Sequence, residues 1–261
     1  MSEESILTDV RGHVGLITIN RPHIHNAIDS PTINLLEQAF CKLEADERVR
    51  VIVFTGAGEK AFVAGGDLGE MNARQGLAHY REFAEDIHRA FRRFEASDKP
   101  TIAAVNGWAL GGGTELLLAL DIRLVSETAS IALTEINLGL FPGAGGTQRI
   151  IRQISPCVAK EMMFTGDRIT AADAVRFGLA NRVVPAAQLL DEAMALAEKI
   201  ARKSPLVLKL LKRALRDGAD MPLTAALAHE QALVSLVFDT RDAHEGMSAF
   251  LEKRAPNFTG H

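Results

Sequence analysis

The fold of this chain is most constrained by an order of segments that recurs in its first half: an apolar strand, a glycine-rich loop and a helix. Strand-like runs occupy residues 14–19 (VGLITI), 49–56 (VRVIVFTG), 101–107 (TIAAVNG) and 122–126 (IRLVS). Helical patterns lie at about 31–45 and 77–96, with Ser30 as the expected N-cap before Pro31. Buried strands that alternate with helices predict an α/β layered domain.

From about Ser155 onward the pattern becomes almost continuously helical, and we expect only residues 181–185 (NRVVP) to interrupt it with an extended segment. We therefore predict an α/β core over residues 1–195 and a helical region over residues 196–261. A chain of 261 residues is long enough to bury a large core of this kind.

The composition disfavours several classes of protein. Apolar residues make up 47 % and charged residues 24 %, which is typical of a soluble globular protein. The net charge of −4 disfavours a nucleic-acid binder, which usually has a basic excess. The two cysteines, Cys41 and Cys157, have no metal-ligand spacing and fit a reducing compartment. Without a secretory signal or an uninterrupted apolar span, we expect a cytoplasmic protein with no membrane segment and no metal.

Two glycine-rich loops have the composition of ligand-binding backbone. Residues 61–68 (AFVAGGDL) contain Gly65 and Gly66, which allow a positive φ and a close approach to a ligand, although a tight turn has the same composition. Residues 111–116 (GGGTEL) place three glycines directly before a helix. Unpaired N–H groups and the helix dipole favour an anion or a developing oxyanion there.

Two glutamates stand alone in apolar surroundings. Glu115 lies in the first helical turn after the GGG loop, and Glu135 precedes a PGAGGT loop that leads into a helix near Gln148 and Arg149. Each glutamate alone is compatible with a structural carboxylate that favours a helix dipole or forms a salt bridge. Burial, however, would raise their pKa values toward the range useful for proton transfer.

Together these features fit the addition of water to an activated double bond. One carboxylate would accept a proton from water while the other supplies a proton to carbon. Backbone N–H donors from two separate glycine loops would stabilise the enolate-like transition state. Competing chemistries fit less well, because the sequence contains no G-x-G-x-x-G, no phosphate-binding G-x-x-x-x-G-K-[ST], no G-x-S-x-G and no H-E-x-x-H.

These motifs resemble the crotonase, or enoyl-CoA hydratase/isomerase, superfamily. The resemblance runs in order through NRPHIHNAI (20–28), AFVAGGDL (61–68), KPTIAAVNGWALGGGTELLLALDIRL (99–124), EINLGLFPGAGGTQR (135–149), MMFTGDRITAADAVRFGLANRVVP (162–185) and EGMSAFLEKRAPNF (245–258). It implies a crotonase-like spiral of β-β-α units with a helical C-terminal region. It also implies a homotrimer or a dimer of trimers, with residues 196–261 as the trimerisation region.

The resemblance also implies roles for individual residues. The catalytic glutamates would be Glu115, which positions and activates the water, and Glu135, which exchanges the proton at Cα, with this order of roles left open. The N–H groups of Gly66 and Gly112 would form the oxyanion hole. The implied contacts to the substrate and its coenzyme A are Asn26, Ala27, Ala64, Gly65, Asp67, Leu68 and Gly111. Phe250 and Lys253 would reach the coenzyme A of a neighbouring subunit.

The implied activity is that of an enoyl-CoA hydratase, which adds water across the 2,3 double bond of a 2-enoyl-CoA to give a 3-hydroxyacyl-CoA in fatty-acid or related acyl-CoA degradation. Coenzyme A would be part of the substrate, and no separate cofactor is expected. The alternatives are an enoyl-CoA isomerase or a specialised dehydratase such as one for carnitinyl-CoA, an RNA-binding relative, and a scaffolding role. Because isomerases commonly keep only one of the two carboxylates, the pair favours hydration. We expect residues 70–98, including Tyr80 and Phe83, to form part of the acyl pocket.

Overall fold

The computed structural model describes residues 4–74 and 76–261 and confirms the expected α/β class. The strands are β1 Ile6–Arg11, β2 Val14–Ile19, β3 Val51–Gly56, β4 Ala61–Val63, β5 Thr101–Val105, β6 Trp108–Leu110, β7 Ile122–Ser126, β8 Ser130–Ala132, β9 Ile169–Thr170 and β10 Arg182–Val184. The helices are α1 Ser30–Ala45, α2 Leu68–Ala73, α3 Leu77–Ala96, α4 Gly112–Leu118, α5 Gly146–Gln153, α6 Pro156–Thr165, α7 Ala171–Arg176, α8 Leu189–Ala201, α9 Pro205–Gly218, α10 Leu223–Phe238 and α11 Arg241–Leu251.

The strands form two sheets that the chain visits in turn. The larger sheet has the order β1-β2-β3-β5-β7-β10, and all of its pairs except β1-β2 are parallel. The smaller sheet has the order β4-β6-β8-β9, in which only β8-β9 is antiparallel. Each pair of consecutive strands, β3-β4, β5-β6 and β7-β8, therefore places one strand in each sheet. Because helices then return the chain to the larger sheet, these repeats form the expected spiral of β-β-α units.

Two apolar layers enclose the larger sheet. On one face, α8 presents Ala193, Ala197 and Ala201 at four-residue spacing, and all three are fully buried against the strands. Their small side chains allow the helix to lie close to the sheet. On the other face, aromatic rings from α1 and α3 pack together, with the ring centroids of Phe40 and Phe94 4.7 Å apart. These layers hold the strand ends from which the site is built.

The start of α1 differs from the expectation. Asp29, and not Ser30, is the N-cap, because its carboxylate accepts the Thr32 N–H at 2.8 Å. Ser30 is the first helical residue, and its N–H and hydroxyl both donate to Glu70 at 2.9 and 2.8 Å. Both residue types are good caps. Ser30 does not cap the helix because its N–H and hydroxyl bind Glu70, 40 residues further along the chain.

The C-terminal half is mainly helical, as expected, but β9 interrupts it in addition to β10. The expected boundary between residues 195 and 196 falls inside α8. Helix α10 has no buried residue although it is rich in leucine, and Leu223 and Phe238 are 74 % and 63 % exposed. In the parts of the chain that the structure describes, no helix is long and apolar enough to cross a membrane.

Candidate active site

Two of the three glycines at the start of α4 are required by the backbone, and the third faces the other glycine loop. Gly111 has φ +51°, a conformation that residues with a side chain rarely adopt. A Cβ added to Gly113 would collide with the carbonyl oxygen of Val63, at the end of β4. Gly112 faces the other glycine loop, and a Cβ added there would lie 3.7 Å from the amide nitrogen of Gly66. The glycines thus bring the backbones of two β-β-α units into contact.

The N–H of Gly66 points away from the neighbouring strand segment. The Gly65 carbonyl accepts the N–H of Ile28 at 2.9 Å, and the Ile28 carbonyl accepts the N–H of Asp67 at 2.9 Å. Every described peptide bond is trans, so the Gly66 N–H is antiparallel to the Gly65 carbonyl. This N–H is therefore directed away from the Ile28 backbone, and Gly66 lines a cavity.

Gly112 lines the same cavity. Gly112 is the first residue of α4, and the first N–H groups of a helix have no acceptor within it. The Gly111 carbonyl accepts the Glu115 N–H at 3.0 Å along the helix axis, so the Gly112 N–H points in the opposite direction, out of the helix. Two neighbouring N–H groups, on Gly66 and Gly112, can thus bind one oxygen atom.

Glu115 is buried and held by a second glycine loop. Its side chain lies in the first turn of α4, the residue is 3 % exposed, and its Oε1 accepts the N–H groups of Ala144 at 2.7 Å and Gly146 at 2.8 Å. A Cβ added to Gly146 would lie 2.9 Å from both Cγ and Oε1 of Glu115, so only glycine fits there. Burial raises the pKa of Glu115 to about 7, against the opposing effect of the Gly146 N–H and with a smaller contribution from the Glu135 charge.

Glu135 opens the 3-10 turn Glu135–Leu138 that follows β8, and it is half-buried. Its Oε2 is buried and, among the described residues, has no hydrogen-bond partner. Its Oε1 would lie 3.0 Å from a Cβ added to Gly111, so the carboxylate borders the GGG loop. Burial raises the pKa of Glu135 as well. A buried carboxylate oxygen without a donor is suited to carry or exchange a proton.

Glu115, Glu135, Gly66 and Gly112 all line one cavity of about 450 Å³. Apart from these groups its wall is mostly apolar. As the sequence led us to expect, Tyr80 and Phe83 from α3 belong to it. The other side chains that enclose it are Ile28, Ala64, Leu68, Met71, Ala84, Ile87, Thr134, Leu138, Leu140, Phe141 and Ala144. The cavity therefore suits an apolar substrate that places a polar, reactive part against the two glutamates.

The structure separates the expected substrate contacts into two groups. Ala64, Gly65, Leu68 and Gly111 line the cavity. Asn26, Ala27 and Asp67 are not on its wall but bind the backbone and side chain of Arg21 beside it. The buried Asn26 amide donates to the carbonyls of Ala57 and Ala61 at 3.0 and 2.8 Å, so it braces the loop.

Phe250 and Lys253 lie away from the cavity wall of their own chain. Phe250 is on the last turn of α11 and is 82 % exposed, and Lys253 follows the helix with φ +54°. Both residues are exposed, so a second molecule can contact them from the solvent side.

The sequence reasoning missed the partners of Glu115. It treated residues 142–147 as a loop leading into a helix, but the structure shows that the Ala144 and Gly146 N–H groups bind the carboxylate. The available signal was the similarity of the two loops, since each places glycines directly before a helix start, where N–H groups are unpaired.

A cavity with two carboxylates of raised pKa and a pair of backbone donors is typical of an enzyme that moves protons on a largely apolar substrate. The chain belongs to the enoyl-CoA hydratase/isomerase family, whose family model matches residues 9–261. It is 40 % identical to the short-chain-enoyl-CoA hydratase of Clostridium acetobutylicum over 254 residues, 97 % of each chain. It is 43 % identical to the 2,3-dehydroadipyl-CoA hydratase of Escherichia coli, over 100 % of each chain. A crystal structure of an enoyl-CoA hydratase from Bacillus anthracis, 40 % identical, superposes with a TM-score of 0.96 and covers 99 % of this chain and 100 % of that one.

Proposed function

We propose that this enzyme is an enoyl-CoA hydratase that converts a 2-enoyl-CoA into a 3-hydroxyacyl-CoA. The proposal is supported by the finding that Glu115, Glu135, Gly66 and Gly112 all line one cavity. Hydration of a conjugated thioester needs a base for water, an acid for carbon and donors for the carbonyl oxygen. The family, and relatives named as hydratases, agree with this chemistry.

The reaction follows from the position of each group. The thioester oxygen accepts the N–H groups of Gly66 and Gly112, which stabilise the charge that develops as the double bond is attacked. Glu115 takes a proton from water while the water oxygen bonds to Cβ. The electron pair of the double bond moves toward the thioester, and Cα then takes a proton from Glu135. Solvent returns the proton from Glu115 to Glu135 after the product leaves.

The hydrogen bonds favour this order of roles. Two N–H donors bind Glu115, and such donors favour an ionised carboxylate, the form that a base requires. Glu135 Oε2 has no donor among the described residues. An acyl group in the cavity would exclude solvent from the half-buried Glu135 and so raise its pKa further. The two N–H donors on Glu115 and this desolvation of Glu135 therefore assign the base to Glu115 and the acid to Glu135 in the proposal.

The wall of the cavity fits a short or medium apolar acyl chain. Coenzyme A enters as part of this substrate, and the chemistry uses no separate cofactor. The proposal includes Asn26, Ala27 and Asp67 at the coenzyme A side of the site, next to the Gly65 loop.

A homotrimer, or a dimer of trimers, completes the proposed enzyme. Residues 196–261 would form the trimerisation region, because α10 exposes Leu223, Leu227, Leu236 and Phe238. Large exposed apolar side chains concentrated on one element are typical of subunit contacts. Phe250 and Lys253 would contact coenzyme A on a neighbouring subunit. We place the enzyme in the cytoplasm, which suits its two free cysteines.

The test follows the loss of conjugated-enoyl absorbance with crotonyl-CoA in wild type and in Glu115→Gln, Glu135→Gln and the exposed control Glu161→Gln. Each active-site change should lower kcat/KM by about 10²–10⁴-fold, and the control should leave it unchanged. If either active-site variant keeps most of the activity, the two-carboxylate mechanism is wrong. Conversion of a 3-enoyl-CoA to a 2-enoyl-CoA without hydration would instead identify an isomerase.

A further inference from the structure

The position of Glu115 depends on a glycine-rich loop, and glycine residues by themselves do not hold a loop in one conformation. Residues 143–146 (GAGG) provide both N–H donors to the carboxylate, and Gly145 between them has φ +102°. Glycine has more conformations available than any other residue, so such a loop has little stiffness of its own. Contacts from outside must hold the two donors in the geometry that Glu115 requires.

Arg149, one turn into α5, supplies such a contact. Its Nη1 donates to the carbonyl of Ala144 at 3.1 Å, while its Nε and Nη2 bind the two carboxylate oxygens of Glu95, on α3, at 3.2 and 3.0 Å. A Cβ added to Gly145 would collide with Arg149 Nη1, so the guanidinium packs directly on the loop. The Arg149 side chain is only 13 % exposed. The planar guanidinium binds the Glu95 carboxylate and the Ala144 carbonyl at the same time, and it therefore fixes the positions of both.

The charge of Arg149 acts in the same sense as its geometry. The guanidinium lowers the pKa of Glu115, against the larger effect of burial and the repulsion by Glu135. It also faces Glu95 and lies close to His88, whose ring hydrogen-bonds the backbone of Gly143 and whose pKa is lowered by burial. At neutral pH, Arg149 is therefore the charge in this group that favours the ionised form of Glu115.

We propose that Arg149, clamped by Glu95, is a positioning residue that holds the Ala144–Gly146 N–H groups onto Glu115 and keeps this carboxylate ready to act as the base. Arg149 is not among the residues that line the cavity. The inference rests on the proposed function, since it assigns to Glu115 the activation of water.

The experiment compares Arg149→Met, Arg149→Lys and Glu95→Gln with the control Arg152→Met. Arg152 lies on the same helix, is 57 % exposed and has a long ion pair of 3.7 Å with Asp220. Arg149→Met should lower kcat for crotonyl-CoA by about 10²-fold, because a misplaced base costs this much, and should change KM less than about threefold. Arg149→Lys keeps the positive charge but not the planar set of donors, and Glu95→Gln keeps the guanidinium but weakens the bonds that hold it. The decrease in kcat should therefore be smaller in both variants than in Arg149→Met.

The pH profile separates positioning from a merely structural role. In Arg149→Met the cation is lost and the amides loosen, and both changes disfavour the ionised carboxylate. The acid limb of kcat/KM should therefore move to higher pH, it should move less in Arg149→Lys, and it should not move in Arg152→Met. Lower activity that follows only a loss of folded protein, with an unchanged acid limb in the folded fraction, would overturn the inference. So would an Arg149→Met enzyme with wild-type kcat. If wild type or Glu115→Gln fails its own test above, it is the proposed function that is wrong.

Discussion

The substitution Glu115→Gln should lower kcat/KM for hydration by about 10²–10⁴-fold and at the same time stabilise the fold at alkaline pH. Glu115 is 3 % exposed, and burial is the main cause that raises its pKa from 4.5 to about 7. Each pH unit of difference is worth about 1.4 kcal/mol, so the ionised carboxylate destabilises the folded state by about 3 kcal/mol relative to the protonated acid. Glutamine has a similar shape, and its carbonyl oxygen can accept the same two N–H bonds without the charge.

The sign of the pH dependence follows from the direction of the pKa change. A carboxyl group whose pKa is higher in the folded than in the unfolded chain contributes its full stability below the unfolded value, here 4.5. This contribution is lost as the pH rises through the folded value of about 7. The variant carries no such group. Its free energy of unfolding should exceed that of wild type by a few tenths of a kcal/mol near pH 4.5 and by about 3 kcal/mol at pH 8.

Urea denaturation followed by fluorescence of the single tryptophan, Trp108, measures this difference. Protein concentration must be equal in all samples, because subunit association would add to apparent stability. Glu161→Gln, at an exposed position of α6, is the matched control and should show no pH-dependent gain. A gap between Glu115→Gln and wild type that stays constant from pH 4.5 to 8, or that favours wild type at pH 8, would refute the reasoning.

Three further substitutions test other parts of the site. Gly146→Ala should lower kcat by on the order of 10²-fold, because the added methyl group displaces Glu115. The control Gly218→Ala should leave kcat unchanged, because its Cβ would lie an ordinary 3.6 Å from the nearest atom. Stopped-flow hydration assays measure both variants. Arg123→Met should destabilise the fold by roughly 3 kcal/mol in urea, because it leaves unpaired the carbonyls that this buried guanidinium binds, those of Leu117 and Leu120 at the end of α4 and that of Leu179. Phe83→Ala should shift the ratio of kcat/KM values toward longer enoyl chains, and an unchanged ratio would show that α3 does not limit chain length.

Much of the site could be predicted because its signals are local. Glu115 interrupts an apolar run, which predicts burial, and the structure confirms it. The GGG loop predicts a helix start, and α4 begins at Gly112. The limits of α3 were predicted as observed, since a 20-residue amphipathic stretch has a strong 3.6-residue period.

Other features depend on contacts that a linear pattern does not contain. Strands β4, β6 and β8 have three residues each, too few to show a period of two. Strand β1 is an edge strand with five of its six residues exposed, so it lacks an apolar face. The loop that binds Glu115 lies 29 to 31 residues further along the chain, and only the packing of α5 on α4 brings them together.

The smaller sheet explains why one cavity can collect groups from three β-β-α units. Strands β4, β6 and β8 are adjacent and parallel, so their carboxyl ends meet at one edge. Gly66, Gly112 and Glu135 follow these three ends by two or three residues each. In α/β proteins ligands bind at such an edge because the ends of strands and the starts of helices leave N–H groups and side chains free there. Glu115 lies in the first turn of α4, the helix that follows β6, and so it is placed at the same edge of the sheet. A shift of any one of these strands by a residue would move Glu115 or Glu135 relative to the N–H groups of Gly66 and Gly112, which is why the register of three short strands determines the geometry of the cavity.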